Sequence, residues 1–265
     1  MDATAVIPRS SARLRELWSR DRPAFGLWSS SRDTVIAELV AGAPHDYVCV
    51  DLQHGSATFA ELPPMLQAMR AAGRAPLVRV PWNEPVGIMR ALDTGAIGVV
   101  VPMVDDADEA AAAAAACRFP PTGGRSWGPM WASVRPDGAP SPTDQDASTI
   151  CLVMVETPAA VAAIAEIVRV PGVDGIYIGP NDLALGTGHG RATYRDSPAV
   201  DELIQRLVST AADAGVVAGL HCSDVDMAAH WADRGARMLT VGQDLAILRG
   251  AVSRQWTTLE AARTP

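Results

Sequence analysis

Ile150-Cys151-Leu152-Val153-Met154-Val155-Glu156-Thr157-Pro158, followed a helix-length later by Gly175-Ile176-Tyr177-Ile178-Gly179-Pro180-Asn181-Asp182, decides the fold of this chain. Each stretch is a short apolar run that closes on a carboxylate at or just past its end. Between them, Pro158–Val168 spaces its apolar residues at three- and four-residue intervals, the period of a helix. Strand, helix and strand joined tightly make a βαβ unit, in which both strands run parallel and finish at the same edge. Glu156 and Asp182 should therefore meet at one end of a sheet.

The same unit repeats outward in both directions. Six further β-rich runs can be assigned: Ala24–Trp28, Tyr47–Asp51, Ala75–Arg79, Gly98–Val101, Val216–Leu220 and Met238–Val241. Helical periodicity fills the intervals at Thr34–Val40, Phe59–Ala72, Val86–Thr94, Ala107–Cys117, Asp201–Ala214 and Asp224–Arg234. Several of these close on glycine, at Gly73, Gly95, Gly215 and Gly235, where a helix C-terminus favours a left-handed residue. With Ile150–Val155 and Gly175–Ile178 the strands number eight, which predicts a closed α/β structure, a (β/α)8 TIM barrel, as a single domain over residues 1–265. Residues 1–22 read as an N-terminal extension with a short helix at Ser11–Trp18 outside the barrel. Residues 243–265 read as a C-terminal helical segment, Leu245–Ala262.

Length and composition agree. The chain has 265 residues, and about 250 is typical of this barrel. Apolar residues make up 48% and charged residues 20%, the proportions of a soluble globular enzyme. A net charge of -8 and the absence of clustered basic residues argue against a nucleic-acid partner. Cys49, Cys117, Cys151 and Cys222 are widely spaced, as reduced thiols in a cytoplasmic protein would be. The first 22 residues lack the apolar core of a secretory signal. Ala110–Ala116 is too short and too weakly apolar to span a bilayer, so no membrane partner is expected.

One connection breaks the rhythm. Phe119–Thr149 is rich in proline and glycine and shows no helical period, and long loops in compact domains tend to be functional. It reads as a lid or a subunit-contact loop, with Trp127 and Trp131 as substrate contacts or packing anchors.

The strand ends carry the chemistry. Glu156 and Asp182 offer two hard oxygen ligands, suited to Mg²⁺, Mn²⁺ or Co²⁺ with the rest of the shell left to water or substrate; the alternative is a pair of capping or salt-bridging carboxylates. His54 lies three residues beyond Asp51, close enough for that carboxylate to fix its tautomer and raise its basicity, with Asp93 as a second possible orienting partner. Arg79 closes an apolar strand, where a guanidinium needs an anion. That anion is a substrate carboxylate or enolate oxygen, or a structural partner such as Asp51 or Glu156. Arg125 could bind substrate or a neighbouring subunit. His45, His189, His221 and His230 are read as structural, least firmly His221 at the end of the seventh strand. No phosphate-loop, dinucleotide or nucleophile-elbow motif is present. The chain also contains no lysine, which excludes a Schiff-base aldolase and a pyridoxal enzyme.

Seven motifs follow in order along the chain: Phe25-Gly26-Leu27-Trp28, Asp51-Leu52-Gln53-His54-Gly55, Val78-Arg79-Val80-Pro81, Leu92-Asp93-Thr94-Gly95-Ala96, Phe119-Pro120-Pro121-Thr122-Gly123-Gly124-Arg125, Glu156-Thr157-Pro158 and Gly179-Pro180-Asn181-Asp182-Leu183. Together they resemble the HpcH/HpaI aldolase family of class II, metal-dependent pyruvate aldolases. The resemblance implies that Glu156 and Asp182 hold a divalent cation, that Arg79 contacts the pyruvyl group, and that His54, paired with Asp51, is the acid or base. It further implies substrate contacts at Gly179, Pro180 and Arg125, with Gln53 and Asp93 supporting the site from behind. Gln53 stands where the family commonly has glutamate, removing a charge beside the metal pocket. Family members are usually hexamers of dimers that exchange the last helix, so a homo-oligomer, specifically a hexamer, is expected. The implied activity is reversible cleavage of a 4-hydroxy-2-oxo acid to pyruvate and an aldehyde. The alternatives are an oxaloacetate decarboxylase, a citrate-lyase-like enzyme acting on a CoA thioester, or a non-catalytic barrel that binds a 2-oxo acid.

Overall fold

The computed structural model describes residues 6–133 and 138–263. Eight parallel strands close into a barrel in sequence order: β1 (Ala24–Ser29), β2 (Tyr47–Asp51), β3 (Leu77–Arg79), β4 (Gly98–Val101), β5 (Ile150–Val155), β6 (Gly175–Ile178), β7 (Val217–His221) and β8 (Met238–Gln243). The helices are α1 (Val6–Ser19), α2 (Thr34–Gly42), α3 (Leu62–Ala71), α4 (Pro85–Asp93), α5 (Ala107–Cys117), α6 (Pro142–Ser148), α7 (Pro158–Ile167), α8 (Pro180–Gly186), α9 (Pro198–Asp213), α10 (Val225–Asp233) and α11 (Asp244–Arg263). All eight expected strands and their crossover helices form. The four glycines expected at helix ends each adopt a positive φ.

Strand alternation sorts the core into two clusters. Val48, Val50, Val153, Val155, Ile176 and Ile178 face the helices, while Tyr47, Cys49, Leu152, Met154 and Tyr177 fill the barrel. The interior tyrosines fit because of their neighbours: a Cβ on Gly26 would stand 2.4 Å from the Tyr47 ring, and one on Gly219 would stand 2.5 Å from Tyr177. Both phenols hydrogen-bond the Thr240 hydroxyl, so no buried hydroxyl in this group goes unpaired.

Helix α1 closes the N-terminal end of the barrel. Val6, Leu14 and Leu17 join the interior cluster, and Arg15 bonds Asp174 at 2.8 Å and the Thr149 carbonyl at 2.9 Å, just ahead of β6 and β5. At the other end, Asp244 starts α11 and accepts the Ser30 and Ser31 backbone N–H groups at 3.0 and 3.1 Å. Asp244 alone among the residues of α11 is buried. All four cysteines are buried and free. Among the described residues no helix is long and apolar enough to cross a membrane.

Two expectations need correction. The Phe119–Thr149 segment, of which residues 134–137 lie outside the described residues, does contain a helix. Ser141 caps α6 by accepting the Asp144 N–H, and Pro142 supplies the first turn, local signals that outweigh the missing apolar period. The segment is also no lid within one chain. It connects α5 to β5, and such helix-to-strand connections lie at the N-terminal end of a barrel, away from the catalytic face. Trp131 accordingly donates to the Thr94 carbonyl at 2.9 Å, while Trp127 rests against Phe119 with ring centroids 5.4 Å apart.

Candidate active site at the C-terminal mouth of the barrel

Because side chains alternate along a strand, residues in phase with Tyr47, Leu77, Leu152, Tyr177 and Gly219 must finish each strand pointing inward at the mouth. Asp51, Arg79, Glu156, Gly179 and His221 are those residues. Trp28 holds the same phase at the end of β1. Together with His54, Met154, Pro180, Asn181, Asp182 and Gln243, all of them except Glu156 line a cavity of about 190 Å³. Glu156 stands immediately behind Gly179.

The register of β2 against β3 pairs Asp51 directly with Arg79, so both side chains rise from neighbouring positions on the same face. They form a bidentate ion pair, Nε to Oδ1 at 2.8 Å and Nη2 to Oδ2 at 2.7 Å. Asp51 Oδ1 also accepts the backbone N–H groups of Gln53 at 3.0 Å and His54 at 3.2 Å. Burial would raise the Asp51 carboxyl, but Arg79 and these N–H groups more than offset it and hold it below the ordinary range. Arg79 is shifted up: burial opposes its charge, yet its bonds to Asp51 and the nearby Glu156 carboxylate outweigh that cost. The guanidinium also lies over the Trp28 ring at 5.2 Å. Its Nη1 makes no hydrogen bond to a described residue, which leaves the two N–H groups of that nitrogen unused.

This geometry corrects the expected link between Asp51 and His54. The Asp51 carboxylate meets only the backbone of His54: Oδ1 takes Arg79 Nε and the two turn N–H groups, and Oδ2 takes Arg79 Nη2. The His54 ring stands at the cavity, exposed. Gln53 likewise reaches Asp51 only through its backbone.

Glu156 is 3% exposed, and its Oε1 accepts the Met103 N–H at 2.8 Å. A Cβ built on Gly179 would stand 2.6 Å from its Oε2, so glycine is required at 179 for the carboxylate to reach the mouth. Burial, then the charges of Asp182 and Asp105, raise the Glu156 carboxyl above its ordinary value against the Met103 bond and Arg79. A buried acid that repels a second carboxylate is the arrangement a divalent cation relieves. The donor set fits such a hard ion: two carboxylates, with no third His, Cys, Asp or Glu converging among the described residues, leave most of an octahedral shell to water and substrate.

Asp93 and Arg125 do not join this mouth within one chain. They pair with each other at 2.8 Å, with Arg125 over Phe119 at 4.5 Å, beside a separate cavity of about 490 Å³ at the α1 end of the barrel. Asp93 ends α4 immediately ahead of β4, and that placement commits it to the far end. Asp93 therefore cannot orient His54 of the same chain.

The mouth also holds residues that the sequence reading left without a role. Trp28 is buried, and its indole N–H has no hydrogen-bond partner among the described residues. His221 packs edge-on against Trp28, with ring centroids 4.9 Å apart. Burial and Arg79, only partly opposed by Asp51, bring the His221 imidazole down to about 4, so it is neutral at neutral pH. Inward alternation from Val217 through Gly219 to His221 was the available signal.

A closed barrel whose mouth gathers a buried glutamate, a second carboxylate and a guanidinium with one unbonded nitrogen is the arrangement of a (β/α)8 enzyme. The HpcH/HpaI aldolase/citrate lyase family model matches residues 24–251. A hydroxypyruvate/pyruvate aldolase of Rhizorhabdus wittichii is 36% identical over 239 residues, 90% of this chain and 95% of that one. A 4-hydroxy-2-oxo-heptane-1,7-dioate aldolase of Salmonella arizonae is 37% identical over 233 residues, 87% of this chain and 88% of that one. The crystal structure of an HpcH/HpaI aldolase/citrate lyase family protein from Burkholderia cenocepacia matches with a TM-score of 0.86 at 31% identity, covering 94% of this chain and 98% of that one. The chain belongs to the HpcH/HpaI aldolase/citrate lyase family, and is a carbon–carbon lyase.

Proposed function

We propose that this enzyme reversibly cleaves a 4-hydroxy-2-oxo acid to pyruvate and an aldehyde, using one divalent cation, Mg²⁺, Mn²⁺ or Co²⁺, held by Glu156 and Asp182. The observation that carries this reading is the Glu156 carboxylate, buried behind a residue that must lack a Cβ and set beside Asp182 and Arg79. When bound, the cation supplies electrophilic stabilisation of charge on the 2-oxo oxygen.

The chain's own groups complete the reaction. Arg79, fixed by Asp51, directs Nη1 toward the oxygen on which charge develops, a donor set in place before the charge appears. Gly179 and Pro180 line the space for the pyruvyl group. His54, directly or through a water, takes the proton of the 4-hydroxyl. The C3–C4 bond breaks, its electron pair passes into the enolate of pyruvate, and the hydroxyl carbon leaves as the aldehyde. The enolate takes a proton at C3 to give pyruvate, and addition runs through the same steps in reverse. Gln53, beside this pocket, leaves it less negative than a glutamate there would.

Leu245, Leu248, Val252, Trp256 and Leu259 recur along α11 at three- and four-residue intervals and are exposed. A cover from a second copy, by exchange of this helix within a hexamer, accounts for them. Arg125 acts on substrate only if a neighbouring copy presents it. The assembly is expected in the cytoplasm. The test of function is pyruvate release from 4-hydroxy-2-oxo acids in a coupled assay: turnover on the order of 1–10³ s⁻¹ is expected, and no pyruvate from any such acid, with Mg²⁺ or Mn²⁺ present, rejects the reading.

A further inference from the structure

A second cavity, of about 260 Å³, opens beside the first. Four residues belong to both walls: Pro180, Asn181, His221 and Gln243. Three of these have hydrogen-bonding capacity to spare. Neither ring nitrogen of His221 bonds a described residue, and the Asn181 amide makes no side-chain hydrogen bond to one. Gln243 commits its amide N–H to the Ser30 hydroxyl and keeps its carbonyl oxygen free. Polar groups gathered at a cavity junction gain most from a ligand that answers them.

Charge narrows the choice of ligand. Arg79 is already paired with Asp51. Arg195 lies over the Tyr194 ring at the outer wall and is held by both oxygens of Asp224, each at 3.2 Å. His221 is neutral near pH 7. Among the described residues of one chain, the second cavity thus offers donors and acceptors without an uncompensated cation on its wall. An aldehyde with a distal carboxylate would lose hydration there and gain no counterion. A hydroxyl next to the aldehyde carbon would meet donors and acceptors on both sides.

We propose that this second cavity is the aldehyde subsite and that Asn181, His221 and Gln243 select neutral hydroxyaldehydes over aldehydes that carry a carboxylate. The inference rests on the aldolase reading above and names the substrate class that reading leaves open.

The test is aldol addition of pyruvate to glycolaldehyde, acetaldehyde and succinic semialdehyde, with kcat/KM measured for each. Wild type is expected to favour glycolaldehyde over succinic semialdehyde by at least about tenfold, the scale of one hydrogen bond. In His221→Leu the ratio of glycolaldehyde to acetaldehyde should fall about tenfold. Comparing that ratio between wild type and variant cancels the intrinsic reactivity of the two aldehydes. Asn181→Ala, at an exposed position, gives the same readout if His221→Leu does not fold. Preference for succinic semialdehyde, or an unchanged ratio in the folded variants, overturns the subsite. Exchange of the pyruvate methyl protons by wild type, measured without any aldehyde, separates the two levels: exchange with the wrong aldehyde preference removes the subsite alone, and no exchange removes the aldolase reading with it.

Discussion

Glu156→Gln is expected to lower kcat/KM for pyruvate release by about 10³-fold or more while the fold stays intact. Glutamine keeps the shape and an acceptor for the Met103 N–H, but removes the negative charge that would hold the cation. A cation acting on developing charge is worth several kcal/mol, and each 1.36 kcal/mol is about tenfold in rate. Stability should not suffer, because burial and Asp182 already work against ionised Glu156. If Glu156 were only a capping carboxylate, the glutamine variant would retain most of its activity. A rate within about tenfold of wild type at saturating Mg²⁺ would remove Glu156 from the metal site.

The second large effect is expected at Arg79. Arg79→Ala should lose about 10²–10³-fold in kcat, the scale of one preorganised donor to developing charge. It should also cost about 3–5 kcal/mol of stability, because Asp51 would be left buried without its partner. A carboxyl held low in the folded state adds stability above its unfolded value and loses it as pH falls through its folded value. Arg79 is the main group that holds Asp51 low against its burial. The stability gap between wild type and Arg79→Ala, read by urea unfolding, should therefore narrow as pH is lowered through the carboxylate range. Arg79→Lys separates the two roles. An ammonium restores charge to Asp51 but cannot bond it bidentately and still present a planar donor to substrate, so stability should recover further than kcat. Full recovery of kcat would mean that Arg79 serves only as a counterion.

Local period carried most of the fold. Val153-Met154-Val155-Glu156 and Ile176-Tyr177-Ile178-Gly179 announce their strands by composition, and β2, β4, β5 and β6 begin and end where expected. Alternation from an inward Met154 also puts Glu156 at the mouth without reference to any other strand. Non-local partners are the least legible part of the sequence. Of the two partners the spacing offers Asp51, His54 three residues on and Arg79 28 residues on, the β2–β3 register selects the arginine, and a bidentate pair takes precedence over a neighbour in sequence. Motif and length alone do not say at which end of the barrel Asp93, Arg125 and the Phe119–Thr149 loop lie. Which end of the barrel they occupy follows from whether a connection precedes or follows a strand, and α5 standing before the loop decides it. Alternation along β7 turns His221 inward, but a lone histidine at a strand end does not by itself declare a role. Its importance comes from the cavity it shares with Asn181 and Gln243.

Proton NMR of pyruvate in deuterated water reads enolate formation through C–H exchange alone, with no aldehyde and no carbon–carbon bond cleavage. Loss of the methyl signal by exchange is expected when enzyme and Mg²⁺, Mn²⁺ or Co²⁺ are present together, with arrest of exchange by EDTA and recovery when the ion is restored. Exchange that proceeds at the same rate after the metal has been fully removed would exclude metal-assisted enolate formation at Glu156 and Asp182.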